Sequence, residues 1–367
     1  MSVAPLVAPA ASLSDRERER TARHAVLAGL GDEGQRRLAA ARVAVVGAGG
    51  LGSPVILALA AAGVGEITVI DDDVVEYANL QRQVIHRVDD VGTAKVDSAV
   101  RAAAALSPET RVHVRRERLD RGNALRLLSG CDLVVDGTDT FATRTDVAAA
   151  CDELGVPLVW GVIQEFHAQV TVFWTSPPAG TPAVGLRDLY PAGSAGDLPT
   201  CAEVGVLGSL CITVGGMLAT EAIKLIAGIG EPLLGRVVVI DALAGTQHEV
   251  PLRAAATPAS APASARPPTP PPAPPAPEVD LEGLRAAQRS GALVLDVREP
   301  HETAAGVLPG SVLLPLADVL ADPGRVAGDR VVVVCAHGIR AHRAAEALRR
   351  HGVAASVLAG GLAEWTP

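Results

Sequence analysis

A chain of 367 residues is long enough for two domains, and its 49% hydrophobic content supports sizeable cores. The formal net charge of −9 argues against a nucleic-acid partner recruited by charge, and five widely spread cysteines do not make a disulfide framework, so a reducing cytoplasm is implied. No basic region precedes the first apolar residues as in a signal peptide, and the longest uncharged run, Val204 to Thr220, carries Gly205, Gly208, Gly215 and Gly216 and reads as a buried helix, not a membrane span.

In chain order, residues 1–19 read as a flexible tail, and Ser14 to Ala41 as helix interrupted around Gly29 to Gly34. Val43 to Val46 is a buried strand, followed by the turn Gly47-Ala48-Gly49-Gly50-Leu51-Gly52 and a helix opening at Ser53-Pro54. Glycines at the first, third and sixth positions let backbone approach a phosphate, and the helix N-terminus behind them offers free amide N–H groups to negative charge. The next strand, Ile67 to Ile70, stops at Asp71, where a carboxylate can accept hydrogen bonds from ribose hydroxyls. The polar run Asn79-Leu80-Gln81-Arg82-Gln83 follows, with Lys95 behind it at the start of a helical stretch from Val91 to Leu106. A dinucleotide needs little cationic charge beyond the glycine turn, whereas a triphosphate under attack needs cations such as Arg82 and Lys95, so the expected ligand is ATP.

Val112 to Val114 is the next strand, and its flanking arginines read as its solvated face. Leu133 to Val135 is a strand ending at Asp136-Gly137-Thr138-Asp139, and carboxylates at the carboxyl end of a parallel strand face the ligand crevice. Pro157 to Val162 and Val170 to Trp174 extend the sheet, the latter in an antiparallel part, and Thr175 to Pro199 reads as a long functional loop ahead of Cys201. Val237 to Ile240 is the last strand of this α/β domain, residues 20–253. Residues 254–277 are almost wholly Ala, Pro, Ser and Thr, a semi-rigid linker whose roughly 25 residues span some 75 Å if extended.

Residues 278–367 form a second, smaller α/β domain. Ala292 to Leu295 is a strand ending in Asp296-Val297-Arg298-Glu299, and Val331 to Val334 is a buried strand with Cys335 at its carboxyl end. The loop Cys335-Ala336-His337-Gly338-Ile339-Arg340 runs into a helix, so amide N–H groups and the helix dipole face the sulfur and stabilise a thiolate or persulfide anion. His337 takes no assigned role.

The run from Gly47 to Lys95, with Gly137-Thr138-Asp139 and Thr200-Cys201-Ala202-Glu203, resembles the MoeB/ThiF family of adenylyltransferases that activate ubiquitin-like sulfur carriers. The second domain resembles rhodanese domains through Asp296-Val297-Arg298-Glu299, Gly306-Val307-Leu308-Pro309-Gly310-Ser311, the cysteine loop and Ala359 to Trp365. The resemblance implies a Rossmann-like adenylation fold in which the C-terminal glycine carboxylate of a Gly-Gly carrier attacks the α-phosphate of ATP. It makes Gly47, Gly49, Gly50, Gly52, Asp71, Asn79, Arg82, Gln83 and Lys95 the ATP site and Asp139 the Mg2+ ligand. Arg23, within Arg20-Thr21-Ala22-Arg23-His24, matches an arginine that reaches the phosphates from the partner subunit of a homodimer, and Thr21 and His24 replace the family's tyrosine and glutamine around it. Cys201 matches the family's cysteine, either a covalent relay with the carrier or a residue without a covalent role. Many relatives hold a structural zinc with two C-x-x-C pairs. This chain has neither pair, so no zinc is expected.

Together the halves imply that Cys335 receives sulfur from thiosulfate or a cysteine desulfurase and attacks the adenylate to give the carrier thiocarboxylate, in molybdenum-cofactor, thiamine, cysteine or tRNA-thiolation pathways. Two rivals stay open: an NAD-dependent oxidoreductase fused to a rhodanese domain, and a non-catalytic carrier-binding scaffold. The Arg82 and Lys95 pair speaks against both.

Overall fold

The computed structural model describes residues 3–191, 205–254, 276–303, 306–336 and 338–362. It divides into two compact units, Met1–Ser260 and Ala261–Pro367.

The first unit is built on an eight-stranded sheet of β1 (Arg42–Val46), β2 (Glu66–Ile70), β3 (Arg111–Arg115), β4 (Leu133–Asp136), β5 (Leu158–Gln164), β6 (His167–Phe173), β7 (Arg236–Asp241) and β8 (Thr246–Pro251), in the order β3-β2-β1-β4-β5-β6-β7-β8. From β3 to β5 all neighbours are parallel, and from β5 to β8 antiparallel. β1 and β4 read as unbroken apolar runs because both faces are covered, as parallel sheets require. Strand order reverses between β1 and β4, and a parallel sheet opens a crevice at such a switch, outside the carboxyl ends of its strands.

The helix Gly52–Ala62 packs beneath that crevice against the 20-residue helix Gly208–Ala227. Gly215 makes this contact possible, since a Cβ there would lie 2.2 Å from Pro54 Cγ. The Val204 to Thr220 run thus lies mostly within one helix, which is capped by Gly228 in the left-handed conformation. Among the described residues it is the one helix long and apolar enough to cross a bilayer, and most of its apolar window is buried in the protein.

Three expectations are corrected. Residues 3–14 are not a free tail: Leu6 N–H donates to Leu225 O at 3.1 Å, Ala10 N–H donates to Arg36 O, and Pro5 lies against Gly228 where a Cβ would be 2.7 Å away. Ser14 then caps the helix Asp15–Arg20 by accepting from Glu17 N–H. The last residues assigned to the linker belong to the second unit, where Ala276 is buried and Pro277 O accepts from Val357 N–H at 2.9 Å. Residues 255–275, the bulk of that linker, lie outside the described residues. Finally, the Thr175 to Pro199 loop contains structure, because Trp174 and Val184 form a bridge and Leu186–Leu189 is helical.

The second unit carries a parallel five-stranded sheet, β9 (Glu278–Val279), β10 (Leu293–Asp296), β11 (Ser311–Leu313), β12 (Arg330–Val334) and β13 (Ala354–Leu358), in the order β11-β10-β12-β13-β9. Four valines of β12, Val331 to Val334, are buried at its centre and deliver Cys335 to the carboxyl end.

Candidate functional site

The glycine turn joins β1 to the helix Gly52–Ala62. Gly47 takes φ +90°, and a Cβ on Gly52 would stand 1.8 Å from Gly47 O, so the turn closes only with glycine at both ends. Its second peptide is held on both sides. Ala48 N–H donates to Asp71 Oδ2 at 2.7 Å, while Ala48 O lies 3.1 Å from His86 Nε2 and accepts from Ser53 Oγ at 3.2 Å. Asp71, at the end of β2, is 9% exposed and also accepts from Asp73 N–H at 2.8 Å. Burial raises its carboxyl above the ordinary range, against the pull of Ala48 N–H and Lys95.

One crevice collects Gly47, Gly49, Gly50, Asp71, Arg82, Gln83, Lys95 and Asp139 in its wall. Lys95, at the first position of the helix Lys95–Leu106, holds its ammonium 2.8 Å from Asp73 Oδ2. Arg82 runs alongside Gly50, its Cγ and Cδ 3.7 Å from where a Cβ would be. Gln83 is buried, with its Oε1 unpartnered, and its Nε2 is 3.5 Å from the corresponding point on Gly49. On the β4 side, Asp136 Oδ1 accepts from Thr138 N–H at 2.9 Å and Thr138 Oγ1 at 2.7 Å, which folds the Gly137-Thr138-Asp139 turn back and leaves Asp139 exposed at the crevice.

Two expected ligands are absent from the crevice wall. Asn79 is buried beside it, but its Oδ1 accepts from Glu76 N–H at 3.0 Å and closes a turn of 3-10 helix. Gly52 shapes the turn from beneath. Arg23 lies exposed on the short helix Ala22–Ala25 and is not among the residues lining this crevice, and Cys201 and His337 fall outside the described residues.

Arg144 and Cys211 in the wall, and His86 under the glycine turn, carry no motif. Arg144 is nearly buried on the first turn of the helix Phe141–Leu154, where its Nη2 donates to Thr138 O at 2.7 Å and its guanidinium lies 5.9 Å from the Trp160 ring centroid. Its place five residues after Asp139, at a helix start, was the available signal. His86 is buried under the glycine turn, and burial first, with Lys95 and Arg101 nearby, lowers its proton affinity. Cys211, on the first turn of the helix Gly208–Ala227, faces the crevice 3.1 Å from a Cβ placed on Gly50.

The oxygen donors fit Mg2+, a hard ion that takes one or two carboxylates plus substrate phosphates. Asp72 and Asp139 are exposed in the wall, whereas both oxygens of Asp71 accept backbone N–H groups and Asp73 pairs with Lys95.

In the second unit Gly338, at φ +88°, turns its N–H onto Cys335 Sγ at 3.1 Å ahead of the helix Ile339–Arg350. Leu362 N–H donates to Cys335 O at 2.8 Å, anchoring the loop from behind. Arg298 is locked by Asp296 and by Gly306 O, and Arg340 by Glu302.

The ThiF family profile matches residues 21–261, and the rhodanese-like domain profile matches residues 280–367. The probable adenylyltransferase/sulfurtransferase MoeZ of Mycobacterium tuberculosis is 42% identical over 99% of this chain and 96% of its own length. The SAMP-activating enzyme E1 of Haloferax volcanii is 46% identical over 66% of this chain and 88% of its own. The adenylyltransferase and sulfurtransferase MOCS3-1 of Zea mays is 33% identical over 98% of this chain and 83% of its own. Among solved structures, E. coli MccB shares the fold with a TM-score of 0.57 at 21% identity, covering 66% of this chain and 71% of that one. The chain therefore belongs to the ThiF family, with a rhodanese-like domain as its second unit.

Proposed function

We propose that this enzyme adenylates the C-terminal glycine of a small ubiquitin-like sulfur carrier and converts it to a thiocarboxylate with sulfur carried on Cys335. The observation that carries the reading is the single crevice joining the glycine turn, Asp71, Arg82, Lys95 and Asp139, in one chain with a strand-end cysteine loop. Backbone N–H groups of the turn and the cations of Arg82 and Lys95 bind the phosphates, and Asp71 orients the ribose. The carrier carboxylate attacks the α-phosphorus, the bond to pyrophosphate breaks, and an acyl adenylate forms. Asp139 would hold Mg2+, which would supply positive charge to offset that on the leaving pyrophosphate.

The outer sulfur of a Cys335 persulfide then attacks the acyl carbon and AMP leaves, which links carrier and enzyme through an acyl disulfide. A thiol attacking Cys335 Sγ releases the thiocarboxylate and leaves Cys335 in a disulfide for reduction. Cys201 is a candidate covalent relay with the carrier. Arg23 completes the site of a partner subunit in a homodimer, and the chain works without structural zinc. Free Cys131, Cys151, Cys211 and Cys335 support a reducing compartment, the cytoplasm. The test is to incubate the protein with Gly-Gly carriers, ATP and a sulfane-sulfur donor and weigh the carriers. A mass gain of sulfur for oxygen that requires ATP is the expected result, and its absence with every carrier overturns the reading.

A further inference from the structure

The Cys335 loop contains a charge pairing that neither motif predicts. Arg340 closes the loop, and both of its terminal nitrogens donate to Glu302, at 2.6 Å each. Glu302 Oε2 also accepts from Glu299 N–H at 2.8 Å, so the carboxylate is fixed at its own end. Both side chains are mostly buried, Arg340 17% and Glu302 24% exposed. A two-pronged pair of this kind occupies the fork with which arginine otherwise grips an oxyanion.

We infer that Glu302 sets the position and charge of Arg340, and that the loop therefore takes its sulfur from a cysteine persulfide in preference to dianionic thiosulfate. The inference rests on the reading that Cys335 carries sulfur. Arg340 lies near enough to Cys335 for a negative charge there to raise its proton affinity, so it is a cation of the sulfur site. Around it stand Arg298, itself bound to buried Asp296, and the carboxylates of Glu299 and Glu302. Among the described residues these make two cations against three carboxylates, before the thiolate is counted. A second negative charge on the donor meets repulsion that Arg298 and Arg340, each already paired to a carboxylate, do not offset. A persulfide brings one negative charge at most to its sulfurs. The Cys335 thiolate attacks the outer sulfur of R–S–SH, the donor's S–S bond breaks, and its electron pair leaves as R–S⁻. The new bond joins Cys335 Sγ to the transferred sulfur, which keeps its proton, and no external oxidant or reductant enters.

Glu302→Gln tests this in the full-length chain, because the amide can still bond Arg340 but carries no charge. Thiocyanate formation from cyanide is followed with thiosulfate or with cysteine persulfide as donor, subtracting the enzyme-free rate. Removing one nearby charge should raise kcat/KM for thiosulfate about tenfold, mainly through KM, and move the persulfide value by less than about threefold. Unchanged or lower thiosulfate activity in a folded Glu302→Gln protein overturns the inference. Should the variant not fold, a salt series on the wild type decides: thiosulfate kcat/KM rising with ionic strength supports repulsion, and a fall refutes it. Transfer surviving Cys335→Ser would instead sink the sulfur-carrier reading itself.

Discussion

Lys95→Met separates catalysis from stability at one atom. The Lys95 side chain is 8% exposed, but its ion-pair partner Asp73 is 64% exposed and can return to water when the ammonium is removed. Methionine keeps the packed stem and strands no charge, so the stability loss should stay below about 1 kcal/mol, a Tm shift of under about 4 °C. The transition state loses far more. A cation aimed at phosphoryl charge in a desolvated crevice is worth about 3 kcal/mol, a rate loss of about a hundredfold or more. The assay is carrier-dependent exchange of labelled pyrophosphate into ATP, run beside a thermal melt. Exchange within about threefold of wild type would refute the role given to Lys95, and a lost exchange matched by a Tm fall above about 8 °C would assign the residue to the scaffold. Asp73→Asn, which frees the ammonium, should leave exchange intact and lower KM for ATP.

His86 is harder to protonate folded than unfolded, so as pH falls through about 6.5 the unfolded chain takes up a proton that the fold refuses, and stability drops. His86→Asn keeps a donor for Ala48 O and does not titrate; its stability relative to wild type, from urea melts, should improve between about pH 7.5 and 5.5, and a constant difference would contradict the assignment. Cys335→Ala should leave pyrophosphate exchange near wild type while ending thiocarboxylate formation, measured by mass spectrometry of the carrier. Mixing inactive Arg23→Ala and Lys95→Met subunits should restore exchange if Arg23 acts across a homodimer, since a mixed dimer would then hold one site with both cations; no recovery in mixed dimers would place Arg23 outside the site. Elemental analysis should find zinc far below one per chain.

The parallel half of the first sheet was legible because β1, β2 and β4 are apolar runs bounded by glycine or aspartate, and the acids stand at their ends. β8 was not, since Thr246–Pro251 is exposed at every position and offers no periodic signal. The Val204 to Thr220 run was legible as a buried helix, and one of its glycines, Gly215, serves contact with Pro54. At the site the glycine turn, Asp71, Arg82 and Lys95 announce themselves by motif and spacing. Arg144, His86 and Glu302 do not, because each acts through a partner distant in sequence or a backbone carbonyl: Glu302 meets Arg340 across 38 residues and His86 meets Ala48 across the same interval. Asn79 is a motif residue whose carboxamide oxygen bonds within its own turn, outside the crevice wall.

Both units contain one device suited to negative charge: a buried parallel strand, a tight turn containing a positive-φ glycine, and a helix start, with a basic residue beside it already paired to an acid. The pairs differ in what an incoming anion can do to them. Asp73 is largely in water, so a phosphate that replaced it at Lys95 would have little desolvation to reverse. Glu302 is mostly buried, makes both of its bonds to Arg340 at 2.6 Å and is held by Glu299 N–H; displacing it would strand a carboxylate away from water. The first cation is therefore exchangeable and the second is not, which is the order the chemistry needs: a phosphate must be gripped and released in every turnover, whereas a persulfide must sit undisturbed on its loop until the acyl adenylate arrives.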